Sequence, residues 1–312
     1  MQRPDFSARD QAVKHNVYAS VRRRDGVSHE HFTHYWRDVH STLCSRLPGL
    51  GFYVQQHFDR EGGANLWPVA DGVSRITAVL DGSAELGFAN AQDQATFAEA
   101  GKILYEDEHN LFGEAIAYFL PTGSTTFVDR EEDGQRNGPD RLHRVHIYMS
   151  RRPGNDATQW LHDTSADLAT LDVIQKWKLH LPKPYDNSHP APPSPDVDHT
   201  VGPDRLHLAV AEVAFENARV ARDFFARAAF KKVLSTQAKH IDALGTYLVS
   251  GFYTFVRDGM ATVAGIRGSR QAQLIDDLGA ANQLTPAVRA TICSSLKDSC
   301  IARVICRSPQ PL

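Results

Sequence analysis

The sequence predicts an α+β protein in which two tandem β-α-β-β-α-β units close a single barrel, followed by a C-terminal helical extension. Three observations lead there. Runs alternating with period two are interleaved with stripes of period 3.6, which reads as strand and helix in turn. The same order of elements returns after a polar linker, "VDREEDGQRNGPD". Each unit also covers one face of its sheet with two helices and leaves the other bare, so two units can bury their bare faces against each other.

In the first unit "HNVYASVRR" reads as a strand, with Val17, Ala19 and Val21 on one face. Ser28 suits a helix N-cap, and Glu30 places a negative charge in the first turn. Phe32, Trp36, Val39 and Leu43 then recur at helical spacing as a core-facing stripe, and "PGL" stops the helix. "GFYVQQHFD" and "RITAVLDG" read as the second and third strands. A long helical pattern from about Ser83 to His109 leads into the fourth, "EAIAYFLP". This unit spans 12–125 and has the ferredoxin-like order.

The second unit, 140–260, is a degenerate version. Its strands are "RLHRVHIYM", "VIQKWKLHL", "RLHLAVAEVAF" and "GTYLVSGFYTFV", with helices at "DATQWLHDTSADLATL" and from about Asn217 to His240. A proline-rich insertion, 183–203, falls between its second and third strands and reads as a semi-rigid flap at the barrel mouth. Segment 261–312 contributes a helix, "SRQAQLIDDLGAANQL", and a tail. His57 and His180 close the two second strands. His109 and His240 end the two second helices, where an imidazolium complements the dipole.

Alternation assigns the faces. In the second strand Phe52, Val54 and Phe58 are expected under the helices, which turns Tyr53, Gln55 and His57 into the lumen. In the second unit Ile174, Lys176, Lys178 and His180 take the lumen face, against Val173, Gln175, Trp177 and Leu179. Lys176, Lys178, His57 and His180 would then form an anion-binding wall.

Composition limits the alternatives. The 312 residues are 42% hydrophobic and 23% charged, with a net charge of -3, which fits a globular protein and gives no basic field for nucleic acid. No apolar run approaches the ~18–20 residues of a membrane span, and the first residues lack the apolar core of a secretory signal, so a cytoplasmic location is expected. Cys44, Cys293, Cys300 and Cys306 match neither a CxxC zinc site nor an even disulfide framework. His189 and His199 with Asp196 and Asp198 have no standard ligand spacing, so no metal is expected.

The stretch "FTHYWRDVHSTLCSRLPGLGFYVQQHF" resembles the signature of the EthD family of the dimeric α+β barrel superfamily: a Tyr-Trp pair, a helical His and a Pro-Gly before the second strand. The resemblance extends over about 15–120 and more weakly over about 140–257, and it implies a fused, single-chain version of a barrel that two chains make. The muconolactone methylisomerase branch uses a helical His and a second-strand Tyr, matched here by His40 and Tyr53. Asp163 and Lys176 stand near the equivalent places of the second unit, so two equal sites are not expected.

On this basis His40, Tyr53 and His57 are the expected catalytic residues, and Trp36, Tyr35, Gln55, Lys176, Lys178 and His180 the expected substrate-binding ones. His40 would move a proton, and Tyr53 would donate to a developing enolate or phenolate oxygen. The expected activity is that of a cofactor-independent lyase or isomerase: decarboxylation, dehydration or lactone isomerisation of a small, anionic, aromatic, polyketide-like or lactone acid. The rivals are a haem-dependent or cofactor-free oxidoreductase on the same barrel and a non-catalytic small-molecule-binding protein. The assignment allows a homodimer and foresees neither a nucleic-acid nor a membrane partner.

Overall fold

A computed structural model describes residues 3–60, 67–154 and 156–293. The chain opens with β1 (His15–Arg23) and α1 (His29–Tyr35), where Ser28 Oγ accepts the His31 N–H as N-cap. A π-helical turn, Trp36–His40, leads into α2 (Ser41–Cys44). Then come β2 (Phe52–Asp59), the two-residue β3 (Ser74–Arg75), β4 (Gly82–Phe88), α3 (Ala91–Ala100), α4 (Lys102–Glu108) and β5 (Phe112–Leu120). Next are β6 (Thr125–Asp129), the short β7 (Asn137–Pro139), β8 (His143–Arg151), α5 (Ala157–Ala169) and β9 (Ile174–His180). The remainder is β10 (Leu208–Phe215), α6 (Ala218–Phe225), α7 (Ala228–His240), β11 (Ile241–Arg257), β12 (Met260–Ala261), α8 (Val263–Arg267), α9 (Ser269–Asp277) and α10 (Pro286–Cys293).

The strands run in the order β5-β1-β4-β2-β11-β8-β10-β9-β6. Within β1–β5 and within β8–β11 the order is fourth, first, third, second, the arrangement of a β-α-β-β-α-β unit. The 17-residue β11 joins the halves: Ile241 to Leu248 pair with β8, and Leu248 to Val256 with β2. The faces away from the helices pack on one another. Tyr18, Phe58 and Tyr118 of the first half share one core with Tyr148, Val210 and Val249 of the second. This is an α+β barrel arrangement built on one antiparallel sheet.

Much of the interior is filled by side chains that pair with one another. The Tyr18 hydroxyl lies 2.7 Å from His146 Nδ1 and 3.0 Å from the Tyr148 hydroxyl. Lys178 donates to Glu85 at 2.6 Å, and Lys176 lies 3.4 Å from Glu212. Arg144 joins Asp140, Glu131 and Glu212. The expected anion-binding wall is therefore corrected: both lysines are already paired with carboxylates. The "linker" is corrected too, because it forms β7 and supplies Glu131, Arg136 and Asp140 to this network.

Three further expectations change. The third strand is "GSAELGF", not "RITAVLDG", and its helices begin only after Asn90, whose side chain caps α3 through Asp93 N–H. Gly82 starts that strand because a Cβ there would stand 2.5 Å from the Trp36 ring. The faces of β2 are the reverse of those expected. Tyr53, Gln55 and His57 point at the helices, while Phe58 turns inward to stack on Tyr247. The reason is that both faces of β2 are buried, so period-two alternation cannot say which side is which. In β9 Lys176, Lys178 and His180 do face inward, but Ile174, beyond an irregularity in the ladder, packs with Trp177 under the helices. Among the described residues no helix is long and apolar enough to cross a membrane. Cys300 and Cys306 lie outside the described residues.

Each half sends the connection between its second and third strands across to the other. The stretch from Trp67 to Leu80 runs along β11, with Ser74 and Arg75 pairing in parallel to Ala243 and Leu244. The insertion from Pro182 runs along β5, where Asp198 forms a parallel bridge to Glu114. Its backbone is tied there by Asp198 N–H to Gly113 O and by Ala115 N–H to Asp198 O.

Candidate active site

Between the helices and the sheet of the first half lies a cavity of about 300 Å³. Its floor is made by small side chains in register: Ala19 of β1 sits opposite Ala84 of β4 on one side and Ala117 of β5 on the other. Three adjacent alanines leave space that larger residues would occupy. Trp36, Phe97 and Phe112 are among the apolar walls, and the insertion contributes Ala191, Pro192 and Pro193. The matching face of the second half is plugged. There Trp67, delivered by the crossing connection, packs edge-on against Trp177, Phe225 and Phe230.

His40 reaches the cavity because of the π turn. The Ser41 N–H bonds back five residues to Trp36 O, and the wider turn advances the helix face by a residue. Val39, expected in the apolar stripe, is 47% exposed, and His40 takes its place at 6%. The Trp36 carbonyl also accepts Gln55 Nε2–H at 3.2 Å, which fixes the turn to β2.

His40 Nδ1 lies 2.9 Å from Asp107 Oδ2. Asp107 also accepts Tyr35 Oη–H at 2.6 Å and Asn110 Nδ2–H at 3.2 Å. Burial acts to raise the Asp107 pKa, but the hydrogen bonds from His40 and Tyr35 outweigh it and hold the group below the usual carboxylate range. An ionised Asp107 can only accept, so His40 Nδ1 is the donor and a neutral His40 presents Nε2 as a base. Tyr53, also on the cavity wall, accepts Gln55 Nε2–H at 2.6 Å through its hydroxyl oxygen. Burial and the neighbouring Cys44 push its pKa well above 10, so it keeps its proton.

The other expected residues are placed apart from this group. His57 does not line the cavity; it stacks on the far side of Trp36 at 4.5 Å, and Gln55 Oε1 lies 3.2 Å from its Nε2. Burial drives its pKa well below 6.5. Tyr35 acts on Asp107 rather than on the cavity. Lys176, Lys178 and His180 are in the barrel interior, where Ser124 Oγ lies 2.8 Å from His180 Nδ1. Asp163 is an exposed partner of Gln159. Sequence reasoning missed Asp107 and Glu108. Their signal was present: three consecutive carboxylates, Glu106 to Glu108, end α4, where the helix dipole disfavours negative charge. Among the described residues no group of three or more His, Cys, Asp or Glu could hold a metal ion.

A match to the EthD domain family model covers residues 24–115, part of the chain that builds this cavity. The matched residues hold the π turn, Tyr53 and the Asp107–Glu108 pair, whereas Ala19 and Ala117 of the cavity floor and Ala191, Pro192 and Pro193 of its roof lie outside them. No curated protein matches the chain in sequence. Among solved structures the chain is similar to a candidate monooxygenase from Fusobacterium nucleatum subsp. nucleatum, 8% identical, covering 77% of this chain and 92% of that one with a TM-score of 0.48. An anthrone oxidase-like protein is 11% identical, with coverages of 80% and 96% and a TM-score of 0.48. A mutant chlorite dismutase from Candidatus Nitrospira defluvii is 13% identical, with coverages of 77% and 90% and a TM-score of 0.36.

Proposed function

We propose that the chain is a small-molecule enzyme, a cofactor-independent lyase or isomerase whose reaction begins with proton abstraction by His40 in the EthD-domain cavity. One observation carries the reading: a histidine oriented by an ionised aspartate opens onto a largely apolar cavity. In such surroundings a base is little solvated, and charge developing on a substrate is felt strongly by the few polar groups present. Tyr53 donates a hydrogen bond to the oxygen on which that charge forms and keeps its own proton. The substrate is a compact, flat aromatic ketone, phenol or lactone. No carboxylate is required of it, since the lysines once assigned to hold one are paired in the barrel interior.

We read β1–β5 and β8–β11 as fused units in which only the first keeps a working cavity, a reading supported by their common strand order and by the Trp67 plug. A haem reading fits poorly. The cavity is at the small end for ligand sites, and Trp67 fills the matching face.

Incubation in D₂O with a panel of aromatic ketones and lactones, 2-tetralone first, tests the proposal by following loss of the α-protons by NMR. Wild type accelerates exchange over buffer, and His40→Gln lowers the rate by about 10²-fold or more with the fold intact. A wild type no faster than buffer, or a fully active His40→Gln, refutes it. Products that have gained oxygen would move the assignment to the oxidoreductase reading.

A further inference from the structure

The cavity has an ionisable wall that the first proton transfer leaves unused. Glu108 closes α4, lines the cavity beside His40 and is only 8% exposed. Its Oε2 accepts the hydroxyl proton of Ser194, a residue of the insertion that is itself 6% exposed. Ser194 is held in turn: its N–H donates to His199 Nε2 at 3.2 Å, and His199 Nδ1 donates to Ala115 O at 2.6 Å. The second half thus reaches over and fixes one oxygen of a carboxyl group in the first half's cavity. Oε1 has no hydrogen-bond partner among the described residues.

Burial is the largest influence on Glu108 and favours its neutral form, with Asp107 adding to it. His40, the Ser194 hydroxyl and His199 oppose this, yet burial prevails and the pKa is raised. Tyr105, Tyr53 and Cys44 are the remaining titratable groups that sense its charge, and none of them is a cation at neutral pH.

We infer that Glu108, positioned by Ser194, is the second proton-transfer group of the site: it donates a proton to the substrate's oxygen while His40 removes one from the adjacent carbon. The inference rests on the proposed function. As His40 Nε2 takes the proton, the electron pair of the broken C–H bond becomes a C=C bond, and the carbonyl oxygen takes the proton of Glu108. The His40 imidazolium exchanges its proton with solvent, and the enol then returns the oxygen-bound proton to Glu108 while His40 delivers a solvent-derived one to carbon, so in D₂O the carbon gains deuterium and both groups are restored with no oxidant or reductant. Ser194 is a positioning residue that touches only Glu108.

The test measures the rate of 2-tetralone exchange against pH for the full-length wild type, Glu108→Gln and Ser194→Ala, with affinity followed by quenching of tryptophan fluorescence. Wild-type exchange falls on the alkaline side as Glu108 loses its proton. Glu108→Gln lowers the rate by about 10- to 10²-fold, abolishes that alkaline fall and leaves affinity within about threefold. Ser194→Ala removes a hydrogen bond to the ionised form, so the alkaline fall moves to higher pH. If wild type exchanges and His40→Gln does not, but Glu108→Gln keeps the wild-type rate and profile, the role of Glu108 is overturned and that of His40 stands. A wild type without exchange overturns both. Should Glu108→Gln fail to fold, an unmoved alkaline fall in Ser194→Ala is the refuting result.

Discussion

Mild acid should weaken the barrel interior through two histidines that cannot take up a proton there. His146 and His180 flank Tyr18 between the two sheet faces, and the Nε2 of each has no hydrogen-bond partner among the described residues. Burial lowers both from 6.5 to about 3. The unfolded chain accepts a proton on each below about pH 6.5, whereas the folded chain does so only near pH 3. Their contribution is therefore fully present above about pH 6.5 and is lost as pH falls towards 3. Each loses about 1.4 kcal/mol per pH unit within that window, so at about pH 5 the pair has removed about 4 kcal/mol. That is a large share of an ordinary folding stability of about 5–15 kcal/mol. Glu85, raised by burial, acts in the opposite direction as it protonates, but that contribution cancels in a comparison of variants. Urea denaturation of wild type, His146→Gln and His180→Gln at several pH values between about 7.5 and 5 separates the terms. Each variant should show a stability-versus-pH slope shallower by about 1.4 kcal/mol per unit, whatever its change in absolute stability. Slopes parallel to wild type between about pH 6 and 5 would refute the argument.

Asp107→Asn keeps a hydrogen-bonding group beside His40 but lets His40 adopt the other tautomer, so exchange should drop by about 10²-fold or more with little change in affinity, read as kcat against KM. Trp67→Ala should cost about 3–5 kcal/mol in urea denaturation and open a cavity that indole refills with a measurable gain in Tm; an unchanged stability would mean that Trp67 is not the plug.

Much of the fold was legible because strands such as "HNVYASVRR" and helices such as that ending at His240 carry clean periods, and β1 begins and ends where that pattern does. The EthD stretch was legible as well. What failed had physical causes. "GSAELGF" is short, rich in small residues and free of β-branched ones, so it carries a helical composition although Ser83 and Glu85 point inward and Ala84 and Leu86 outward. The π turn is an added residue that no fixed period can represent, and it exchanges Val39 for His40. For β2 the polar face was taken as the face of an open lumen, whereas both sides of the strand are dry. His40, Tyr53 and Trp36 line one space, which lies on the side of the sheet opposite to the expected lumen. Asp107 lies 67 residues from His40, a pairing only the folded chain makes.

The two crossing connections have a consequence in terms of symmetry. In a ring of identical subunits, any residue that blocks one cavity blocks them all, and any residue that furnishes one furnishes every copy. A single chain supplying both halves of the sheet is free of that constraint. Here one crossing arm brings Trp67 and fills a cavity, while its counterpart brings Pro192, Pro193 and Ser194 and roofs one that stays open. The halves have thereby become specialised for each other: the first lends the second its core, the second lends the first its roof, and neither could be excised without exposing the part it borrowed.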